Sequence, residues 1–135
     1  MNKNIAWGIL FGFSGAGLIG NALFMLLAPA TWYRELPAAV PDFGPYNEHF
    51  VRDIACAGFV FGCVSLAAIR WHAFRFQATI LLAAFYGTHS VLHIFDTARG
   101  FVSAEHWLID LPLVHVPALL FLGLAMVASR SERRT

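Results

Sequence analysis

Long apolar runs separated by short polar segments dominate the pattern of hydrophobic and polar positions along this 135-residue chain. A helix needs about 20 predominantly apolar residues to cross about 30 Å of hydrocarbon. Four runs reach that length, at 5–28, 47–71, 77–95 and 107–127. None shows the period-2 alternation of a half-buried strand, and each is too long for one. We therefore predict an all-α protein, an integral membrane antiparallel four-helix bundle that forms a single domain, 1–135.

Prolines and capping residues set the expected helix boundaries. The second span begins after Pro45, with Asn47 as its predicted N-cap. Asp110 precedes Pro112 and is predicted to cap the fourth span. The connection 29–46 holds four of the chain's six prolines, so we expect an irregular or briefly helical surface loop there.

Composition supports a membrane protein and excludes other classes. Hydrophobic residues make up 59% and charged residues 13%, where a soluble domain has about 25% charged residues. The mean hydropathy is +0.65, so the expected partner is the lipid bilayer. A net charge of +1 offers no basic field for nucleic acid, and two cysteines in an apolar stretch disfavour a disulfide-stapled secreted module.

Charges near the span ends predict the orientation. One side, with both termini, carries six basic residues, whereas the opposite side carries three basic residues against seven acids. An excess of Lys and Arg marks the cytoplasmic side, so we expect both termini in the cytoplasm. The apolar run of 5–28 exceeds the roughly 7–15 residues of a secretory h-region, so we expect a span there and not a cleaved signal. The six basic residues are Lys3, Arg70, Arg75, Arg130, Arg133 and Arg134.

Polar side chains collect in the outer halves of all four predicted spans. Ionisable groups cost roughly 3 kcal/mol each at the bilayer centre, so each needs a partner or a purpose. At about 100° per residue, the polar residues of the third span form one stripe, and His49 and Asp53 share a face that Cys56 and Cys63 continue. We expect these stripes to face the bundle interior and to enclose an outer-leaflet pocket. In chain order its residues are Asn21, His49, Arg52, Asp53, Tyr86, His89, His93, Asp96, Asp110 and His115.

Such a set of side chains favours a metal or haem site. Imidazole is the commonest side-chain ligand for transition metals, and His89 and His93 have the i, i+4 spacing that presents two nitrogens to one ion. We predict binding of a transition metal ion (Zn, Cu or Fe) or of haem, with these two histidines as core ligands. The further predicted ligands are His49, His115, Asp53 and Asp96, and the other cofactor-binding residues are Arg52, Tyr86 and Asn21.

Two other interpretations stay open. In the first, the cluster is a structural network in which Asp53 and Asp96 neutralise Arg52 and histidines link the helices. In the second, it binds an amphipathic molecule such as a quinone or lipid, or handles protons. His72 and His106 lie beside tryptophans at opposite boundaries and are expected to belong to the aromatic belts.

Small residues suggest how the helices approach one another. Gly12, Gly15, Gly17 and Gly20 are expected to allow close contact with another helix, a second copy or another membrane subunit. The two cysteines are expected to be small packing residues. No nucleophile elbow, phosphate loop or flavin fingerprint identifies an enzyme class.

Three segments resemble a group of small, mostly uncharacterised bacterial four-span membrane proteins. The first is a GPxNxHFVRDI segment, here 44–54, at the opening of the second span. The others are HxxxHxx(D/E), here 89–96, and HWxxDLP, here 106–112. The resemblance covers most of the chain and implies a multi-pass protein of the bacterial inner membrane. It implies no reaction, cofactor or functional residue.

Overall fold

Helices account for nearly all of the secondary structure in the computed structural model, which describes residues 3–132. No strand occurs within that range. Four helical segments in it are long and apolar enough to cross a membrane: Asn4–Leu27, Glu48–Arg70, His72–Ala98 and Leu111–Ser129. The predicted all-α class with four spanning-length helices is confirmed. Of the six basic residues predicted to mark the cytoplasmic side, Arg133 and Arg134 lie outside the described residues.

The helices follow the order of the predicted spans, with shorter elements between them. Helices α1 to α6 are Lys3–Leu27, Pro29–Glu35, Glu48–Arg70, Arg75–Ala98, His106–Ile109 and Val116–Glu132. Short 3-10 turns form at Val40–Phe43 and His72–Phe74, and a π-helical turn forms at Leu111–His115. The chain divides into two compact units. The first comprises residues up to Leu36 together with Pro45–Ala78, and the second comprises Pro37–Gly44 together with residues from Thr79 onward.

In the first unit, α1 and α3 pack closely because each has a glycine at the contact. A Cβ atom added to Gly62 would lie 2.5 Å from Cγ1 of Ile19 and 3.1 Å from the carbonyl oxygen of Gly15. The predicted close approach is therefore confirmed at Gly15. Among the described residues, nothing lies within 4 Å of a Cβ added to Gly17 or Gly20, so these two glycines make no such contact within the chain.

Side-chain hydrogen bonds fix the ends of elements in the first unit. Trp32 on α2 donates its indole N–H to Oδ1 of Asn21 on α1, at 2.8 Å. The Oδ1 atom of Asn47 accepts a hydrogen bond from the backbone N–H of Phe50 at 3.1 Å. Asn47 is thus the N-cap of α3, as predicted. The expected briefly helical connection consists of α2 and the 3-10 turn.

The second unit contains a π-helical turn that the sequence analysis did not predict. Pro117 has no N–H, and its ring excludes the carbonyl four residues earlier, which weakens the helix at this point. The backbone N–H of His115 bonds to the carbonyl of Asp110, five residues before it, at 3.2 Å. The extra residue in this turn changes the angle between the side chains of Asp110 and His115. Both side chains contact α4, Asp110 through His93 and His115 through Ser90.

The fourth span was expected over 107–127, with interruptions at Pro112 and Pro117. In the structure, α5, the π-helical turn and α6 follow one another in this part of the chain. The prediction that Asp110 caps a helix is wrong, because its side chain makes no capping hydrogen bond to the described helix. Its carboxylate instead binds two histidines.

Candidate functional site

Two carboxylates and two imidazoles alternate in one hydrogen-bonded series within the second unit. Oδ2 of Asp110 lies 2.8 Å from Nδ1 of His93. Both oxygens of Asp110 lie 3.3 Å from Nδ1 of His106. The other ring nitrogen of His106, Nε2, lies 3.2 Å from Oδ2 of Asp42. We call the series Asp42–His106–Asp110–His93 the His–Asp chain.

Three parts of the unit position these side chains. His106 begins α5 and Asp110 follows its end, so the two residues, four apart, share one helical face. His93 lies in the last two turns of α4, on the face that meets the π-helical turn. Asp42 comes from the 3-10 turn Val40–Phe43. The ring of Phe43 packs against His93 and His106, with centroid separations of 4.7 and 4.8 Å.

Exposure falls sharply along the His–Asp chain. The Asp42 side chain is 53% exposed, whereas His106 is 0% and Asp110 is 1% exposed. The His93 side chain is 13% exposed. Buried ionisable groups are costly unless they are paired, and each of the two fully buried groups here has two partners. The series therefore connects the surface of the protein with its interior.

The two carboxylate partners of His106 favour its cationic form. Burial, the largest single influence, lowers its pKa, but hydrogen bonds and charge attraction from Asp42 and Asp110 outweigh it. The pKa of His106 is therefore raised above its ordinary value. An ionised carboxylate can only accept hydrogen bonds, and only the imidazolium ion donates from both ring nitrogens. A cationic His106 satisfies both carboxylates at once.

The same argument favours one tautomer of His93. Its Nδ1 faces Asp110, and an ionised carboxylate there accepts a hydrogen bond from a proton on Nδ1. In the neutral ring, Nε2 then carries the lone pair. A carboxylate on one imidazole nitrogen is the arrangement that orients histidines for proton transfer or for metal binding. Nε2 of His93 is thus a basic nitrogen at the inner end of the His–Asp chain.

Two further imidazoles, His89 and His115, lie on α4 or against it. The ring of His89 meets that of His93 edge to face, with centroids 4.5 Å apart. No hydrogen-bond partner for either ring nitrogen of His89 occurs among residues 3–132. Nδ1 of His115 lies 2.8 Å from Oγ of Ser90. The structure therefore brings the predicted core pair, His89 and His93, together and places His115 on the element facing the same helix.

Tyr86 and Asp96, the other predicted site residues of α4, have separate partners. Tyr86 stacks in parallel on Phe121 of α6, with centroids 5.6 Å apart. The Oδ1 atom of Asp96 accepts hydrogen bonds from the Arg99 side chain at 2.8 and 2.9 Å. The structural-network interpretation paired Asp96 with Arg52, whereas the partner of Asp96 within the second unit is Arg99.

The predicted site residues of α3 lie in the first unit and on its exposed surface. Nε2 of His49 lies 3.3 Å from Asp53, and their side chains are 88% and 62% exposed. Arg52 pairs with Glu48 at 2.6 Å, not with Asp53. Cys56 is exposed on the same face, as is Cys63. The expectation that this stripe faces the interior is therefore wrong, and its role in ligand binding stays a prediction.

Sequence reasoning missed Asp42 and misassigned His106. His106 was expected to lie in an aromatic belt, but it is fully buried. The i, i+4 spacing of His106 and Asp110 was the available signal, since it places both side chains on one helical face. Asn21, predicted to bind a cofactor, is the hydrogen-bond acceptor for Trp32 and also contacts Sδ of Met25.

In the described part of the chain, no group of three or more His, Cys, Asp or Glu side chains is placed to hold a metal ion. The chain was also compared with known protein families, with curated proteins and with solved structures, and none of the three comparisons finds a match.

Proposed function

We propose that this protein is a multi-pass protein of the bacterial inner membrane whose second unit is a proton-transfer site. His93 exchanges a proton with an amphipathic molecule dissolved in the bilayer, and the His–Asp chain connects His93 to water at Asp42. One observation carries the proposal: carboxylates and imidazoles alternate without a gap from a half-exposed Asp42 to a largely buried His93.

The proton transfer follows from the tautomer of His93. A hydroxyl group of the bound molecule loses its proton as its O–H bond breaks and an N–H bond forms at Nε2. The Nδ1 proton of His93 moves toward Asp110, and His106 passes a proton on to Asp42. Each contact in the series joins a ring N–H donor to a carboxylate acceptor, and Asp and His side chains form the proton relays of membrane pumps and transporters. The bound molecule is left as an anion.

The ligand class follows from the surroundings of the histidines. His93 and His89 lie in an apolar span, and Phe85 lies parallel to the His89 ring with centroids 6.0 Å apart. A molecule with a flat ring, a weakly acidic hydroxyl group and an apolar tail meets these conditions. Hydroquinone headgroups have this chemistry. The charge asymmetry of the sequence supports an extracytoplasmic position for Asp42, with both termini in the cytoplasm.

Metal or haem binding is a second candidate function. It is supported by the orientation of His93, because a histidine that binds a metal ion usually donates its other ring N–H to a carboxylate. His89, His93 and His115 supply the right donor atoms for Zn, Cu or Fe. Against it, three such ligands do not converge within the described residues, so the side chains would have to move to form the site.

Equilibrium binding of decylhydroquinone to the detergent-purified protein tests the first proposal. We expect saturable binding that weakens at least tenfold in the His93→Gln variant. The dimethyl ether of the same compound, which has no hydroxyl group, should not bind. The His72→Gln variant is a matched control, because His72 is exposed and lies in the 3-10 turn before α4.

The same preparation distinguishes the alternatives. If the dimethyl ether binds as tightly as the hydroquinone, then no proton is recognised and the proposal is wrong. Stoichiometric metal or a haem absorption band that is lost in His89→Ala and His93→Ala would establish the second candidate. A colourless, metal-free protein that binds neither decylhydroquinone nor its dimethyl ether, and that only loses stability in these variants, would indicate a structural network.

A further inference from the structure

A short segment between two unusual backbone conformations covers the outer end of the His–Asp chain. Ala39 has φ 47° and Gly44 has φ 137°, and both angles lie in a region that L side chains rarely adopt. The 3-10 turn Val40–Phe43 lies between them. We call the segment 39–44 the strap. We take its two ends as the hinge points, because both residues hold backbone conformations that L side chains rarely adopt.

Two contacts hold the strap in place. Asp42 accepts a hydrogen bond from His106 at 3.2 Å, and the ring of Phe43 packs against His93 and His106. Ala39 keeps a strained left-handed conformation only while such contacts outweigh the strain. The strap therefore has one polar anchor and one aromatic anchor, and the polar one depends on the charge of His106.

We propose that the strap is a pH-dependent gate over His93, closed while His106 is cationic and open when His106 is neutral. The gate would regulate access to the proton-transfer site, so its physiological meaning rests on the proposed function. The movement of the strap itself does not depend on any ligand.

Charge balance gives the direction of the switch. The charged groups that face His106 are Asp42 from the strap and Asp110 at the end of α5, and His93 faces the same Asp110 from α4. A neutral His106 has one N–H and can satisfy one carboxylate only. Asp110 is fully buried and His106 is its neighbour in the same helical turn, whereas Asp42 is half-exposed and can be hydrated. Loss of the His106 proton therefore releases Asp42.

Hydrogen exchange of the full-length protein tests the gate. The backbone N–H groups of Asp42 and Gly44 bond within the strap, to the carbonyls of Ala39 and Pro41. After correction for the intrinsic pH dependence of exchange, we expect their protection to fall at least tenfold between pH 6 and pH 9. In Asp42→Asn, protection should be low at pH 6 and unchanged at pH 9. In the His72→Gln control, it should follow the wild type.

Either of two outcomes would contradict the proposed gate. One is strap protection in the wild type that does not change with pH. Another is an unchanged pH profile in Asp42→Asn, a variant expected to fold because the side chain is half-exposed. Failure of hydroquinone binding would leave both exchange results intact, so the two proposals can fail separately.

Discussion

Nδ1 of His93 lies 2.8 Å from Oδ2 of Asp110, although 17 residues separate them in the sequence. The contact joins the last turns of α4 to the π-helical turn, and it determines which ring nitrogen of His93 is basic. Asp110 also binds His106, so one buried carboxylate orients two imidazoles. The candidate site depends on this residue more than on any other.

Replacement of Asp110 should therefore destabilise the protein strongly. Asp110→Asn removes the charge that compensates a buried cationic His106, and breaking a buried charge pair typically costs about 3–5 kcal/mol. We expect the free energy of unfolding in detergent to fall by about 3 kcal/mol. Asp53→Asn is the matched control, since Asp53 is largely exposed and should change stability by less than about 0.5 kcal/mol. Equal effects of the two variants would show that Asp110 has no special role.

Stability should depend on pH through His106. Its pKa in the folded protein is raised above the ordinary value, so proton binding by His106 favours the folded state. This contribution is fully present below the unfolded pKa of about 6.5 and is lost as the pH rises through the higher folded value. Thermal unfolding between pH 5 and pH 9 should show the loss in the wild type. The His106→Gln variant should be less stable at low pH and should lack this part of the pH profile.

The contact between α1 and α3 should not tolerate a side chain at Gly62. A Cβ atom there meets Cγ1 of Ile19 at 2.5 Å and the backbone of Gly15 at 3.1 Å, so the helices must separate. Gly62→Ala should lower stability by about 1–3 kcal/mol, as overpacking does. Gly17→Ala should be neutral or slightly stabilising, because nothing described lies within 4 Å and alanine favours helix. If the two variants unfold at the same temperature, the close approach at Gly62 is wrong.

Asn21 should matter for α2 and not for ligand binding. Asn21→Ala removes the acceptor for the Trp32 indole N–H, and a typical hydrogen bond contributes about 1 kcal/mol. Faster hydrogen exchange in Pro29–Glu35 is therefore expected, with unchanged binding of decylhydroquinone. A loss of binding without faster exchange would instead support the sequence-based prediction that Asn21 contacts a cofactor.

Local rules explain which parts of the structure could be predicted. The length of the apolar runs determines the four long helices, and Asn47 caps α3 through a contact three residues away. Helical angles correctly grouped His89 with His93. They could not show which face of α3 is covered, so His49 and Asp53 were expected inside but lie on the exposed surface.

Asp42 was missed because its contact with His106 is part of no local pattern. Asp42 and His106 are 64 residues apart, and their pairing requires the strap to fold back onto α5. The π-helical turn changes the angle between Asp110 and His115, so regular helical geometry misplaced them. The sequence showed that polar residues cluster, but which of them form hydrogen bonds with each other depends on tertiary structure.

The most direct test of the proton-transfer account is ¹⁵N nuclear magnetic resonance of the histidine side chains in the ligand-free protein at pH 6. The account predicts that His106 carries protons on both ring nitrogens. It also predicts that Nδ1 of His93, the nitrogen that faces Asp110, carries a proton. A neutral His106, or a His93 whose only proton resides on Nε2, would contradict it.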